Sequence, residues 1–228
     1  MKKIGILSWK IGENSFGITL PYLMWLENFG EVKIIDYKEE INPFLDLLVL
    51  PGGPDINPEV YGQTPNRVTG RPCIYREYFD KHVLPKYIEN NIPIFGICRS
   101  LQALNVHFNG TLEQNMYHET SIKSRGEYVH DIFYKKRDNN SIKIFRDSVN
   151  SLHHQIIEKI GEGLKPIAKY IPLKGKEMGY EIEAIVHKEL PIAAVQYHPE
   201  ELITDRLSNI IVYELLEGTF NHKNYLEV

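Results

Sequence analysis

Apolar residues arrive in short unbroken runs through the first half of the chain, at residues 4–7, 32–35, 47–50 and 94–97, each about the length of one strand. A run that is apolar at every position has no polar face to turn to water, which is the pattern of strands covered on both sides of a parallel sheet. Between these runs the apolar period lengthens. Residues 18–29 close on Gly30 as a helix closes on its C′ glycine, residues 77–89 keep helical spacing despite Pro85, and residues 99–108 end a third such pattern before Gly110. This alternation predicts an α/β fold on a doubly wound, mostly parallel sheet, in which ligands gather at the carboxyl ends of the strands.

Beyond Gly110 the texture changes. Residues 128–134 and 141–145, separated by the turn-forming Asp138-Asn139-Asn140, predict an antiparallel pair, and residues 167–171, 180–187 and 192–197 predict further strands. A last helix is expected to start from a cap on Thr204 or Asp205 and to run to about Glu217, before Gly218. One domain over residues 1–228 is expected, its sheet carrying a small antiparallel extension, with no internal repeat, low-complexity tract or Gly/Ser-rich linker.

Composition narrows the partners. A length of 228 residues with 43% hydrophobic content suffices for one two-sided sheet domain. The net charge of -4, without any run of five or more basic residues, argues against nucleic acid or an anionic membrane as the main partner. A small anion could still bind a local arginine cluster. Only Cys73 and Cys98 are present, so a disulfide framework is excluded and a reducing compartment is favoured. The N-terminal MKKIGILSWKIG regains charge at Lys10 and is followed by no small-residue cleavage site, so it reads as a first strand rather than a leader. No stretch reaches the roughly 20 apolar residues of a membrane helix. A soluble, cytoplasmic protein is expected.

Three short segments carry chemistry. In FGICRSLQALNV a buried-strand pattern ends on Cys98 and turns at once into a helix. The thiol is expected to sit exposed at that turn, at a helix N-terminus, where the thiolate form is favoured. So sharp a turn needs small neighbours, which Gly96 supplies fully and Ser100 only in part. A lone cysteine at a strand end is equally a small buried hydrophobe, so other residues must decide. In AAVQYHPEEL a second strand pattern ends on His198-Pro199-Glu200. Pro199 keeps His198 extended, and residues i and i+2 then share a side, so Glu200 can orient the imidazole. A histidine within reach of Cys98 would take its proton and later return one to a leaving amine. In LLVLPGGPDINPEVYG a strand ends on Pro51-Gly52-Gly53. Such a turn lets the backbone approach a ligand and aim an N–H inward. Together with the N–H of Arg99 it could form an oxyanion hole, or it could be an ordinary glycine turn.

The Pro-Gly-Gly turn, the cysteine elbow and His-Pro-Glu, in that order, resemble the class I glutamine amidotransferase superfamily. Its elbow pattern Gly-x-Cys-x-Gly-x-Gln stands here as Gly96-Ile97-Cys98-Arg99-Ser100-Leu101-Gln102. Within that superfamily LPGGPDINPEVYG, YREYFD, GICR and VNSLHHQ are similar to the peptidase C26 group, stand-alone γ-glutamyl amide hydrolases of the γ-glutamyl-γ-aminobutyrate hydrolase type. The resemblance spans residues 47–200. It implies the flavodoxin-like amidotransferase fold, a Cys98-His198-Glu200 triad and an oxyanion hole of the Gly53 and Arg99 backbone N–H groups. It also implies that Gly52, Gln102 and the Ser151 region hold a glutamyl group, and that the amide is cleaved through a thioester on Cys98 without a cofactor. Ser100 departs from the family glycine. A hydroxymethyl group added at so tight a contact costs about 1–3 kcal/mol unless something receives it. The complete triad favours a compensated, active site.

Two stretches bear on the substrate. Arg67, Arg71 and Arg76 lie close together after the Pro-Gly-Gly loop, and arginine forks suit carboxylate and phosphate. Either they are solvated surface residues, or Arg71 and Arg76 bind an anionic amine side. The substrate would then be a small γ-glutamyl amino acid, or a γ-glutamyl phosphoramidate or nucleotide-linked amidate. His153 and His154 are adjacent and face opposite ways in a strand, and no further ligands stand at metal spacing, so no metal site is predicted. One of the pair is expected to face the cleft, with His153 weighed as a substrate contact. Three functions stay open: a stand-alone hydrolase of a small γ-glutamyl molecule, a glutaminase subunit passing ammonia to a separate synthetase, and a catalytically silent binding protein whose support is Ser100 alone. Assembly as a homodimer stays open as well.

Overall fold

The four early apolar runs form the strands that they predict. The computed structural model describes all residues except 11–14, 116–127, 139–140, 172–179 and 203–204. Its first half contains β1 (Lys3–Leu7), β2 (Trp9–Lys10), β3 (Phe16–Gly17), α1 (Leu20–Leu26), β4 (Glu31–Ile35), β5 (Leu47–Leu50), α2 (Ile74–His82), α3 (Leu84–Glu89), β6 (Ile94–Ile97) and α4 (Arg99–His107). The second half contains β7 (Thr111–Glu113), β8 (His130–Asp138), β9 (Ser141–Val149), β10 (Ile156–Lys159), β11 (Leu164–Tyr170), β12 (Glu181–His187), β13 (Ile192–Val195), α5 (Arg206–Glu217) and β14 (Tyr225–Leu226).

Strands β13-β6-β5-β1-β4 pair in parallel, in that order. Successive side chains of a strand point to opposite faces, and two apolar clusters divide them. Leu47, Val49, Phe95 and Ile97 pack with Leu26 of α1 and with Leu207, Ile211 and Leu215 of α5. Leu48, Leu50 and Ile94 pack with Phe79 of α2, Tyr87 of α3 and Leu101 and Leu104 of α4. Helices thus cover both faces, the doubly wound arrangement that continuous apolar runs require. Beyond β13 the direction reverses: β12, β11, β8 and β14 follow antiparallel, and β9 pairs with β8 along its other edge. The antiparallel pair expected after Gly110 is the β8–β9 ladder. It runs longer than its apolar residues suggest because most of β9 faces solvent. Asn139 and Asn140 of its turn lie outside the described residues.

Three boundaries differ from expectation for local reasons. Residues 77–89 belong to two helices, because Pro85 has no N–H to donate and instead enters the first turn of α3, with the break at Val83. Helix α1 covers only the middle of residues 18–29, with Pro21 in its first turn. The cap of α5 is Asp205, whose Oδ1 accepts the Ser208 N–H at 3.3 Å, and Thr204 lies outside the described residues. Gly218, at φ 67°, closes this helix in the left-handed region. Among the described residues no helix is long and apolar enough to cross a membrane.

Asp205 also accepts the Tyr197 hydroxyl at 3.2 Å, so it ties α5 to the strand that leads into His198. Asp205→Ala is expected to destabilise the protein by about 1–2 kcal/mol, the usual cost of a lost cap. Urea unfolding checks this: the midpoint falls while the slope stays constant.

Candidate active site

Strand β6 passes into α4 through a single residue. Cys98 takes φ 52° and ψ −107°, a costly conformation for a residue with a side chain. It is over-determined by its neighbours. The Cys98 N–H donates to Val195 O at 2.8 Å, and the Cys98 carbonyl accepts the Leu101 N–H at 3.0 Å. A Cβ on Gly96 would lie 2.9 Å from Leu104 Cδ1 and 3.0 Å from Ala194 Cβ, so only glycine lets strand and helix approach this closely. The expectation of an exposed thiol needs correction. Cys98 is 5% exposed, since residues beyond β13 close over it: Gln196 Nε2 lies 3.8 Å from Sγ.

Strand β13 ends at Val195, the chain bends at Gln196 and Tyr197, and His198 is extended before Pro199 opens a 3-10 turn that carries Glu200. Glu200 Oε1 sits 2.7 Å from His198 Nδ1. That nitrogen therefore carries a proton toward the carboxylate, which leaves Nε2 available on the other side of the ring. Burial opposes the imidazolium form. Attraction to Cys98 and then to Glu200, with hydrogen bonds to both, outweighs burial and holds the His198 pKa well above the ordinary range. The His198 backbone is clamped by one side chain: its N–H donates to Asn150 Oδ1 and its carbonyl accepts from Asn150 Nδ2, both at 2.8 Å. Gly52 completes the fit, because a Cβ there would stand 2.7 Å from the His198 ring.

The Pro-Gly-Gly loop is held by two buried guanidinium groups. Arg76 donates to Gly52 O at 2.8 Å and to Pro51 O at 3.0 Å, and Arg99 Nε donates to Pro54 O at 3.1 Å. Arg99 also pairs with Asp80 at 2.5 Å. The carbonyls are thereby drawn to the arginines. Among the described residues neither the Gly53 N–H nor the Arg99 N–H, the first of α4, finds an acceptor. Arg76 is 1% exposed and spent on the protein's own oxygens, which corrects its assignment as a contact for a substrate anion. Burial and then the neighbouring Arg99 lower its pKa to about 10, so the group is still charged near neutrality. Ser100 belongs to the same cluster: its hydroxyl donates to Pro51 O at 2.7 Å and accepts from Arg76 Nη2 at 2.8 Å. The hydroxymethyl group that departs from the elbow pattern is received by partners.

Tyr22, which sequence reasoning missed, joins loop and histidine. Its hydroxyl accepts the Gly52 N–H at 3.0 Å and lies 3.5 Å from His198 Nδ1. Burial and then the Glu200 charge raise the Tyr22 pKa well above its ordinary value, so it stays protonated. Asn150 and Gln196 were missed as well; of the three, only Gln196 had a sequence signal, its place just past an apolar run. Gln102 Nε2 donates to Gln155 O at 3.0 Å and to Gln196 Oε1 at 3.3 Å, placing the elbow glutamine beside Cys98. Ser151 is fully buried, and its hydroxyl has no partner among the described residues. The paired histidines diverge: His153 is buried with Nδ1 3.0 Å from Gln155 O, while half-buried His154 meets Asp55 at 3.1 Å. Arg71 is exposed, next to Gly70, whose N–H donates to Asp55 Oδ2 at 2.6 Å. Among the described residues no group of three or more His, Cys, Asp or Glu could hold a metal ion.

The sheet order and the elbow at its switch point define a protein of the class I glutamine amidotransferase-like fold. The PurLQS structure from Thermotoga maritima shares that fold, with a TM-score of 0.59 over 96% of this chain and 97% of that one at 17% identity. The chain belongs to the Peptidase C26 family, whose model matches residues 32–200. Glutamine amidotransferase-like protein YvdE of Lactococcus lactis is 35% identical over 73% of this chain and 72% of its own length. Gamma-glutamyl-gamma-aminobutyrate hydrolase PuuD of Escherichia coli is 27% identical over 77% and 72%. Membership places the protein among hydrolases of amide bonds.

Ser100→Gly restores the elbow pattern and yet is expected to destabilise the protein by about 1–3 kcal/mol, because it strips a partner from the buried Arg76. Thermal or urea unfolding reads the loss; a stabilised variant would contradict it. Tyr22→Phe removes one hydroxyl and no packing volume. It is expected to lower kcat/KM for amide hydrolysis roughly two- to tenfold, the worth of one hydrogen bond, to shift the pH–rate profile, and to destabilise the protein by about 1–3 kcal/mol through the buried Gly52 N–H that it leaves unpaired.

Proposed function

We propose that the protein cleaves the γ-glutamyl amide bond of a small γ-glutamyl compound through a glutamyl thioester on Cys98. The observation that carries this reading is the imidazole of His198, whose Nδ1 lies 2.7 Å from Glu200 Oε1 and whose charged form is favoured by Cys98 and then by Glu200. Cys98 Sγ, its proton passed to His198, attacks the γ-carbonyl carbon. The developing oxyanion is received by the free N–H groups of Gly53 and Arg99. The tetrahedral intermediate collapses, the C–N bond breaks, and His198 returns the proton to the departing amine. Water then loses a proton to His198, attacks the thioester and releases glutamate with the thiol restored. Glu200 stays ionised throughout and orients the ring. No step calls for a cofactor or a metal.

On the amine side Arg71 is the remaining candidate for an anion contact, held near the Pro-Gly-Gly loop by the Gly70–Asp55 bond. A charged hydrogen bond contributes about 1.5–3 kcal/mol. An anionic leaving group, whether the carboxylate of a small amino acid or the phosphate of a phosphoramidate, is then favoured roughly ten- to a hundredfold over ammonia.

The experiment is glutamate release by the purified protein, without partners, from glutamine and from γ-glutamyl-γ-aminobutyrate. The γ-glutamyl compound is expected to be the better substrate, and Arg71→Ala to lower kcat/KM for it alone. Cys98→Ala is expected to abolish turnover, and His198→Ala to cost about 10²–10⁴-fold, more than Glu200→Gln. Full activity in Cys98→Ala overturns the mechanism. Activity that requires an added synthetase would make the chain a glutaminase subunit instead.

A further inference from the structure

The antiparallel extension of the sheet leaves one long edge bare. All nine residues of β9 pair with β8, from the Asp138–Ser141 pair to the His130–Val149 pair, and among the described residues β9 pairs with no other strand. Two residues connect β8 to β9, and the closing pair of such a hairpin exchanges its backbone hydrogen bonds. Alternation carries that phase along the ladder, so residues 141, 143, 145, 147 and 149 bond to β8. The N–H and C=O groups of Ile142, Ile144, Arg146 and Ser148 point the other way. All four residues are exposed, Ile142 at 56% and Ile144 at 71%.

A long edge strand with exposed β-branched residues is a template for further pairing, and proteins guard such edges with prolines, bulges or charges. β9 holds no proline, and its ladder to β8 runs without a shift of register. Its charges are arranged to match rather than to repel. Lys143 and Asp147 stand two residues to either side of Phe145, on the same face of the strand. One antiparallel two-fold register pairs all nine residues of β9 with a second copy of itself. It sets Phe145 opposite the partner's Phe145, and Lys143 opposite the partner's Asp147 twice over. The backbone agrees with this register: Ile142 meets the partner's Ser148 and Ile144 meets the partner's Arg146, so free groups face free groups. A slip of one residue would set free groups against those already bonded to β8.

We infer that β9 is the interface of a homodimer, in which two copies join edge to edge across a two-fold axis and their sheets become one. The lysine–aspartate and Phe145 pairs fall at the non-hydrogen-bonded positions, where opposed side chains come closest. Asp147 accepts the Tyr134 hydroxyl on Oδ2 and keeps Oδ1 for the lysine. Lys143 gives up little to reach it, because its pair with Asp138 is more than half exposed on both sides. On the outer face Ile144 and the partner's Ile144 become diagonal neighbours, and each covers apolar surface that the single chain leaves in water.

The test is the oligomeric state of the full chain by analytical ultracentrifugation. At about 100 μM, above the micromolar dissociation constants at the weak end of specific interfaces, the wild type is expected to be a dimer. Ile144→Pro deletes one outward N–H and no bond to β8, and is expected to give a monomer with the circular dichroism of the wild type. A charge exchange supplies the second test. Lys143→Glu alone opposes two pairs of carboxylates and Asp147→Lys alone two pairs of ammonium groups, so each is expected to weaken the dimer roughly tenfold or more. An equimolar mixture of these two variants places opposite charges at both positions and is expected to restore dimers, now mixed ones. A wild-type monomer overturns the inference. So does a dimer that persists in folded Ile144→Pro or in both charge variants, which would put the interface on another face, and so does a mixture that stays monomeric.

Discussion

The site depends on the grip of two buried arginines on one loop. Pro51, Gly52 and Pro54 surrender their carbonyl oxygens to Arg76 and Arg99, and a peptide whose oxygen is fixed on one side must direct the next N–H to the other. An oxyanion hole needs such a fixed N–H, because a donor that reorients during the reaction gives back much of what it contributes. Guanidinium suits this role better than an ammonium: its planar fork reaches two carbonyls and a hydroxyl at once, as Arg76 does with Gly52, Pro51 and Ser100. Two like charges buried side by side are unfavourable. Asp80, paired with Arg99 at 2.5 Å, offsets part of that repulsion.

From that grip the rest of the site follows by contact. The loop brings Gly52 against the His198 ring, where no larger residue fits, and Tyr22 bolts the Gly52 N–H to the Glu200 side of the imidazole. Asn150 holds the His198 backbone as a neighbouring strand would, with one donor and one acceptor. The positive φ of Cys98 is sustained because Gly96 admits α4 close to the sheet and Val195 O anchors the Cys98 N–H. Local strain and tertiary restraint are balanced here, so a conformation rare for cysteine becomes the only one available.

Much of this was legible in the sequence where the physics is local. Unbroken apolar runs mark two-sided burial, so β5 and β6 fall on residues 47–50 and 94–97, and Asp205 and Gly218 bracket α5 through capping chemistry. The elbow and His-Pro-Glu are legible for the same reason: each is a strand end followed within two residues by its constraint. Arg76 misled because its sequence neighbours, Arg67 and Arg71, are exposed, while its own burial depends on carbonyls 24 and 25 residues away. Tyr22 and Asn150 act on partners 30 and 48 residues distant, and no local pattern distinguishes them from other tyrosines and asparagines. Helix 77–89 broke at Val83 because a proline tolerated in a first turn is not tolerated in an interior.

The location of the site also has a topological cause. In an all-parallel sheet only strand ends reach the carboxyl edge, so the chemistry there is limited to residues that follow strands. Here β13 pairs in parallel with β6 and antiparallel with β12, and β11 and β8 continue the reversed ladder. The beginnings of β12 and β8 therefore meet the ends of β6 and β13 on one edge. Cys98 and His198 arrive as strand ends, whereas Glu181, Glu183 and His130 arrive as strand beginnings. Cys98 and two buried glutamates thus reach one sheet edge although they belong to strands of opposite direction. The switch in direction beside β13 brings Cys98, at the end of a parallel strand, to the same sheet edge as the buried carboxyls that begin an antiparallel one.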